Sequence, residues 1–248
     1  MNGSFSRENL ENFELENAET VLDWGKTCVF APHPDDESLG CGGAIALLRK
    51  FELPVRLVVM SDGTLSHPHS QKFPAAKLRG LRETEMKNAL RILGVSADDV
   101  TFLRYRDRSV PDQEADDFES AVTKVKDLLS EINPETIVLP WRRDPHPDHR
   151  ATWQIVHSAI TRIGIKPKVL EYPIWLWEMA EEKDLPLKGE IRAWRLNIEK
   201  TVEQKQSAIR AHVSQTTDLI DDDPEGFRLS PEVLLNFAVP YEVFLEER

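Results

Sequence analysis

Thr27-Cys28-Val29-Phe30-Ala31-Pro32-His33-Pro34-Asp35-Asp36-Glu37 is the stretch whose reading decides the fold. Thr27 to Ala31 is a short apolar run, the pattern of a strand buried on both faces. The chain then turns abruptly to prolines, a histidine and three carboxylates. A buried strand ending this way sets ligand-type side chains at its carboxyl end. In open α/β sheets that rim is where ligands bind.

Working outward, the same grammar repeats. Gly42 to Lys50 reads as a helix packed on the first strand, and Val55 to Met60 as a second strand ended by Ser61-Asp62-Gly63. Leu78, Leu81, Met86, Leu90 and Leu93 recur near helical spacing from Lys77 to Leu93, with Gly94 as a stop. A strand over Val100–Leu103, a helix over Phe118–Ile132 and a strand over Thr136–Leu139 follow. Next come a helix from about His149 to Ile163 and a strand over Val169–Tyr172. The last third predicts a strand at Ala193–Asn197, a helix at Lys200–Ala211 and a closing strand at Tyr241–Leu245. Alternating strands and helices predict one α/β domain, Rossmann-like, in three α/β/α layers with a mostly parallel sheet. Residues 1–24 show no sustained period and read as an N-terminal arm outside the core, leaving 25–248 as the domain.

Composition narrows the function classes. In 248 residues, 31 Lys and Arg stand against 43 Asp and Glu, a net charge of −12 that disfavours a groove tracking nucleic-acid phosphates. No apolar run approaches the roughly 18 residues that span a bilayer. The acidic start (Glu8, Glu11, Glu14, Glu16) lacks the basic and apolar regions of a signal peptide. Cys28 and Cys41 make no disulfide framework, so the expected compartment is a reducing cytoplasm.

A second cluster, Asp144-Pro145-His146-Pro147-Asp148-His149, follows the strand that ends at Leu139. One His-Pro-Asp reads as readily as a capped turn. Two copies after two parallel strands point to a metal site on one rim. His33, Asp36 and His149 could form a three-ligand set with one position open for water, leaving Asp35 and His146 for proton transfer. Asp35 and Asp36, adjacent in an extended segment, would point to opposite sides. Zinc suits these donors better than magnesium, and non-haem iron stays open.

These paired motifs resemble those of the LmbE-like or PIG-L family of zinc-dependent N-deacetylases, over about Thr27 to at least Gln215. The resemblance implies one zinc per chain (iron or another divalent metal being the alternative) on His33, Asp36 and His149. It implies Asp35 as general base and His146, oriented by Asp148 and acting protonated, as oxyanion donor or acid. Arg82, Asp107 and His212 match segments that contact substrate, whereas Thr64 departs from an acidic family position. The implied reaction is hydrolysis of a linear amide, removing N-acetyl from an N-acetylglucosamine-type conjugate. The implied partner is that small molecule, with no nucleic acid, no membrane span and homo-oligomerisation left open. Two other readings are a carbohydrate binder that retains the metal and a hydrolase of another bond. Asp35 and His146 speak against the first, and the lack of a clear cationic clamp against the second. His67-Pro68-His69 reads as a solvated loop or part of a lid, His157 as a packing residue, and Trp175 and Trp177 as packing or stacking groups.

Overall fold

Alternate residues of Thr27–Ala31 (β2) feed two separate cores, and this sets the layers. Val29 and Ala31 join a core built with Leu47, Met86, Leu90 and Ile209. Cys28 and Phe30 join another with Val122, Val125, Ile155 and Val156. The computed structural model describes residues 12–248. Its sheet has eight strands, completed by β1 (Glu14–Glu16), β3 (Val55–Ser61), β4 (Val100–Tyr105), β5 (Thr136–Pro140), β6 (Lys168–Tyr172), β7 (Ile191–Asn197) and β8 (Tyr241–Glu247). Their order is β1-β7-β8-β6-β5-β2-β3-β4. Only β8 runs antiparallel to its neighbours, β6 and β7. One face carries α1 (Asp36–Lys50), α2 (Ala75–Ile92) and α5 (Val202–Ala211), and the other α3 (Phe118–Ile132) and α4 (Pro147–Ile163). The α6 (Val213–Thr216) and α7 (Pro231–Leu235) turns complete the helices. The expected three-layer α/β/α architecture is present.

From β2 the chain steps outward to β3 and β4, then returns to place β5 on the other side of β2. Thr27 sits opposite Thr136 and Val29 opposite Val138. Their following helices lie on opposite faces, so a crevice opens between the two strand ends. Both ligand-rich clusters emerge there.

Three boundaries differ from the sequence reading. First, residues 12–24 are not outside the core. β1 pairs with β7, and the 3₁₀ turn Ala18–Trp24 buries Val21 and Trp24 completely. The Trp24 ring stands edge-on to Phe244 at 5.2 Å and to Trp194 at 6.4 Å. Four acidic residues, Glu14, Glu16, Glu19 and Asp23, masked this apolar pair; the rest of the expected arm, residues 1–11, lies outside the described residues. Second, α1 begins at Asp36 rather than Gly42, because the helix kinks at Cys41 and restarts. The Glu242 carboxylate receives the N–H groups of Gly43 and Ala44 at 2.7 and 2.8 Å, and buried Lys205 balances its charge. Gly40 is required by close approach, since a Cβ there would fall 2.2 Å from the Tyr172 ring. Third, α4 begins at Pro147, with His146 as its N-cap. Among the described residues, no helix is long and apolar enough to cross a membrane.

Trp24→Ala is expected to destabilise the protein by about 3–5 kcal/mol, the cost of emptying a large aromatic site in a core. Urea unfolding measures it, and a loss below about 1 kcal/mol would return this segment to the status of an arm.

Candidate active site

Each predicted ligand is held by a particular local device. Asp36 opens α1, so its carboxylate turns back and accepts the His33 N–H at 2.9 Å. The same oxygen, Oδ2, lies 3.1 Å from His33 Nδ1 and 3.2 Å from His149 Nε2. His149 sits in the first turn of α4 and is fully buried. Three imidazoles, those of His33, His146 and His149, bring ligand atoms within 4.8 Å of one another. His33, Asp107 and Asp148 form a second such group.

Hydrogen bonding separates the two groups. His33 Nε2 is 3.0 Å from Asp148 Oδ2 and 3.4 Å from Asp107 Oδ1, so this nitrogen carries the proton between two carboxylates. Its Nδ1 faces Asp36, and against the effect of burial the carboxylates of Asp107, Asp148 and Asp36 hold the pKa of the ring well above the usual imidazole value. His149 repeats the pattern: Nδ1 is 3.3 Å from Asp144 Oδ1, and Nε2 points at Asp36. Neither His149 nitrogen makes an aligned hydrogen bond, although the ring is enclosed. A carboxylate behind each imidazole is the usual outer support of a histidine–metal bond. Donor separations of 3.1 and 3.2 Å match the roughly 3.3 Å between ligands of a tetrahedral ion with bonds near 2.0–2.1 Å. Asp36 Oδ2 thus lies within reach of one nitrogen of each ring, so His33, Asp36 and His149 are residues that could hold a small divalent cation.

Asp35 caps α1 in a strained conformation, φ 147° and ψ −27°. Glu37 Oε2 accepts its N–H at 3.1 Å, and Arg82 Nη2 donates to its carboxylate at 3.1 Å. Burial pushes its carboxyl up to about 6, against the pull of Arg82. Its orientation differs from the sequence reading, since it is a helix cap and not half of an extended pair.

Arg82 is buried and donates to the carbonyls of Gly63 and Pro34 as well. It is not a solvated helix charge, and it lines the cleft. Gly63 is necessary here: its φ is +63°, and a Cβ would fall 2.4 Å from the guanidinium. Asp107 lines the cleft and pairs with His33 rather than with its arginine neighbours in sequence. Burial works against its charge, but His33 and Arg82 hold its carboxyl well below the usual range.

Two roles are corrected. The Asp148 carboxylate faces His33 and accepts the N–H groups of Arg108 and Val110; only its backbone N–H reaches His146, at Nδ1. The helix start forces this, because residue N2 turns its N–H toward the capping ring. His212 is buried and is not among the residues that line the cleft. Its Nε2 is 3.2 Å from Glu37 Oε1 and 3.1 Å from Ser38 Oγ, since a fully buried Glu37 requires a cationic or donor partner. His212 thus hydrogen-bonds Glu37 and acts on Asp35 only as a nearby charge.

His146 also differs from expectation. Burial and the charges of His33 and His149 push its pKa down to about 3, so it is neutral at pH 7. With Nδ1 accepting from Asp148, Nε2 carries the hydrogen. For His149, burial opposes the charge but Asp36 and Asp144 outweigh it and raise the pKa to about 9. Asp144 and Glu37 received no supporting role in the sequence reading. The rule that ligand histidines are backed by carboxylates was the signal for Asp144.

Of the other marked residues, His67 is buried against Gly226 and Ser66, His69 stays exposed, and His157 lies exposed and stacked on Trp153. Trp175 lines the cleft, and Trp177 lies in a neighbouring crevice.

The chain matches the PIG-L family, described as GlcNAc-PI de-N-acetylase, over residues 28–160. It is 28% identical over 197 residues to a probable N-acetyl-alpha-D-glucosaminyl L-malate deacetylase of Bacillus cereus, covering 78% of this chain and 85% of that one. It is 29% identical to the 1D-myo-inositol 2-acetamido-2-deoxy-alpha-D-glucopyranoside deacetylase of Mycobacteroides abscessus, covering 83% and 86%. The N,N'-diacetylchitobiose deacetylase of Pyrococcus horikoshii superposes with a TM-score of 0.67 at 25% identity, covering 97% of this chain and 90% of that one. The family match spans both ligand-rich clusters, and the chain belongs to the PIG-L family of de-N-acetylases.

Proposed function

We propose that this protein is a metal-dependent hydrolase that removes the acetyl group from the nitrogen of an amino-sugar conjugate. The observation that carries the reading is the placement of Asp35 and His146 in one cleft with His33 and Asp36, while His149 stands behind them. A bound divalent ion, zinc by the chemistry of two imidazoles and a carboxylate, would supply Lewis acidity and an acidified water. Asp35, ionised near neutrality, accepts the proton of the attacking water. As the amide oxygen gains charge, the neutral Nε2–H of His146 donates to it. Asp35 then returns its proton to the departing nitrogen, the C–N bond breaks, and acetate and the free amine result. Arg82 keeps Asp35 turned into the cleft, and Glu37 holds its backbone.

Metal uptake should release protons, because ligand imidazoles must be neutral. His149 titrates near 9 in the metal-free protein, so at pH 7 its proton has to leave. Adding zinc to weakly buffered apoprotein at pH 7 should release at least about one proton per ion, measured with an indicator dye. Affinity should fall as pH drops below 9. Uptake without proton release would remove His149 from the ligand set.

Asp35→Asn should keep the metal and lose about 10²- to 10⁴-fold in turnover. The base must be ionised, so activity is lost as pH falls through its pKa. A neighbouring cation adds a further downward pull, so the acid limb of kcat/KM should lie no higher than about 6. His146→Ala should lose about 10²- to 10³-fold with both limbs in place, since a neutral donor sets neither. An acid limb above pH 7 would reassign the base, and an alkaline limb that vanishes in His146→Ala would require a protonated imidazole.

A further inference from the structure

The cleft has a volume of about 280 Å³, and much of its lining has no part in the chemistry above. Leu65, Trp175, Met179, Phe227 and Leu229 all face it. They come from three segments, those following β3, β6 and α6. An acetamido sugar is polar, and Asp107, Ser66 and Gln215 on the same lining supply its hydrogen-bond partners. The apolar groups therefore serve another part of the substrate.

This apolar lining is prebuilt and tied to the donor set. The Trp175 N–H donates to Asp144 Oδ2 at 3.0 Å, and the other oxygen of Asp144 backs His149. Phe227 donates its N–H to the Ser66 carbonyl at 2.6 Å and sets its ring edge-on to Trp175 at 5.9 Å. Yet Met179 is 58% exposed and Phe227 39%. Large apolar side chains that line a polar cleft and are left in water mark a surface that a ligand covers. The competing cue is Arg108, an exposed cation on the same lining that makes no ion pair among the described residues. A single exposed cation contributes little in water, whereas a preformed apolar surface gains with every apolar atom it covers.

We propose that this lining is the subsite for the group borne by the sugar, and that this group is apolar, an aryl or alkyl aglycone. The inference rests on the deacetylase reading, so binding and turnover are measured separately. The zinc-loaded protein is titrated by calorimetry with the methyl and phenyl glycosides of N-acetylglucosamine and with its malate conjugate, and acetate release is followed for each. The phenyl glycoside is expected to bind at least about tenfold more tightly than the other two, within the range one apolar pocket discriminates. Phe227→Ala and Met179→Ala should each lower the phenyl-over-methyl ratio by about threefold or more. A malate conjugate that binds as well as the phenyl glycoside, or variants that leave the ratio unchanged, would overturn the proposal. A phenyl preference that the variants abolish, with no acetate released from any conjugate, would leave the subsite standing and remove the deacetylase reading.

Discussion

Everything at the site depends on one constraint: β2 and β5 are hydrogen-bonded neighbours whose following helices pack on opposite faces of the sheet. Parallel strands within one ladder end at the same rim, and diverging helices leave a crevice between them. The fixed register brings the segment after Ala31 against the segment after Pro140 without any long loop. His33 and Asp148, 115 positions apart in sequence, thereby meet at 3.0 Å. Side chains placed by strand ends and helix first turns are held more rigidly than those on free loops.

Such a crevice collects charge where water is excluded. Asp35, Asp36, His33, Asp148 and His149 are all buried. An isolated buried ion would neutralise itself, so the arrangement persists only because each group faces a partner. Asp36 stands between two imidazoles and is driven well below the usual carboxylate range in spite of its burial. Asp35 is raised by its burial and by the charge of Asp36, and these win over the pull of Arg82 and the nearby histidines. Two adjacent carboxylates thus acquire opposite characters: one stays ionised and the other titrates near neutrality, the split that the proposed ligand and base would need.

Much of this was legible in the residues. Strand periodicity and the ligand-rich ends gave the sheet and the rim on which both clusters meet, because those signals are local. The misreadings share one cause. Asp148 and His212 were assigned to the nearest plausible neighbour in sequence or to the cleft, whereas a buried side chain answers to whatever the packing sets opposite it. For Asp148 that is His33, and for His212 it is Glu37. Trp24 failed as a core prediction for a related reason. Three residues of β1 and one turn are too short to show a period, and their burial is decided by β7 and β8.

The strained backbone of Asp35 fits the same logic. A non-glycine residue at φ 147° is costly, by about 1–3 kcal/mol, and persists only where its surroundings overdetermine it. Here Asp36 fixes the residue on one side by bonding the His33 N–H, and Glu37 fixes it on the other by accepting its own N–H. His212 and Ser38 secure Glu37 in turn. A relaxed helical Asp35 would follow the direction of the first turn, away from the Arg82 guanidinium that now meets it. The three consecutive carboxylates of Asp35-Asp36-Glu37 are therefore one device: Asp35 is held in a costly pose at the cleft, Asp36 bonds back to His33 beside it, and Glu37 clamps the pose from behind.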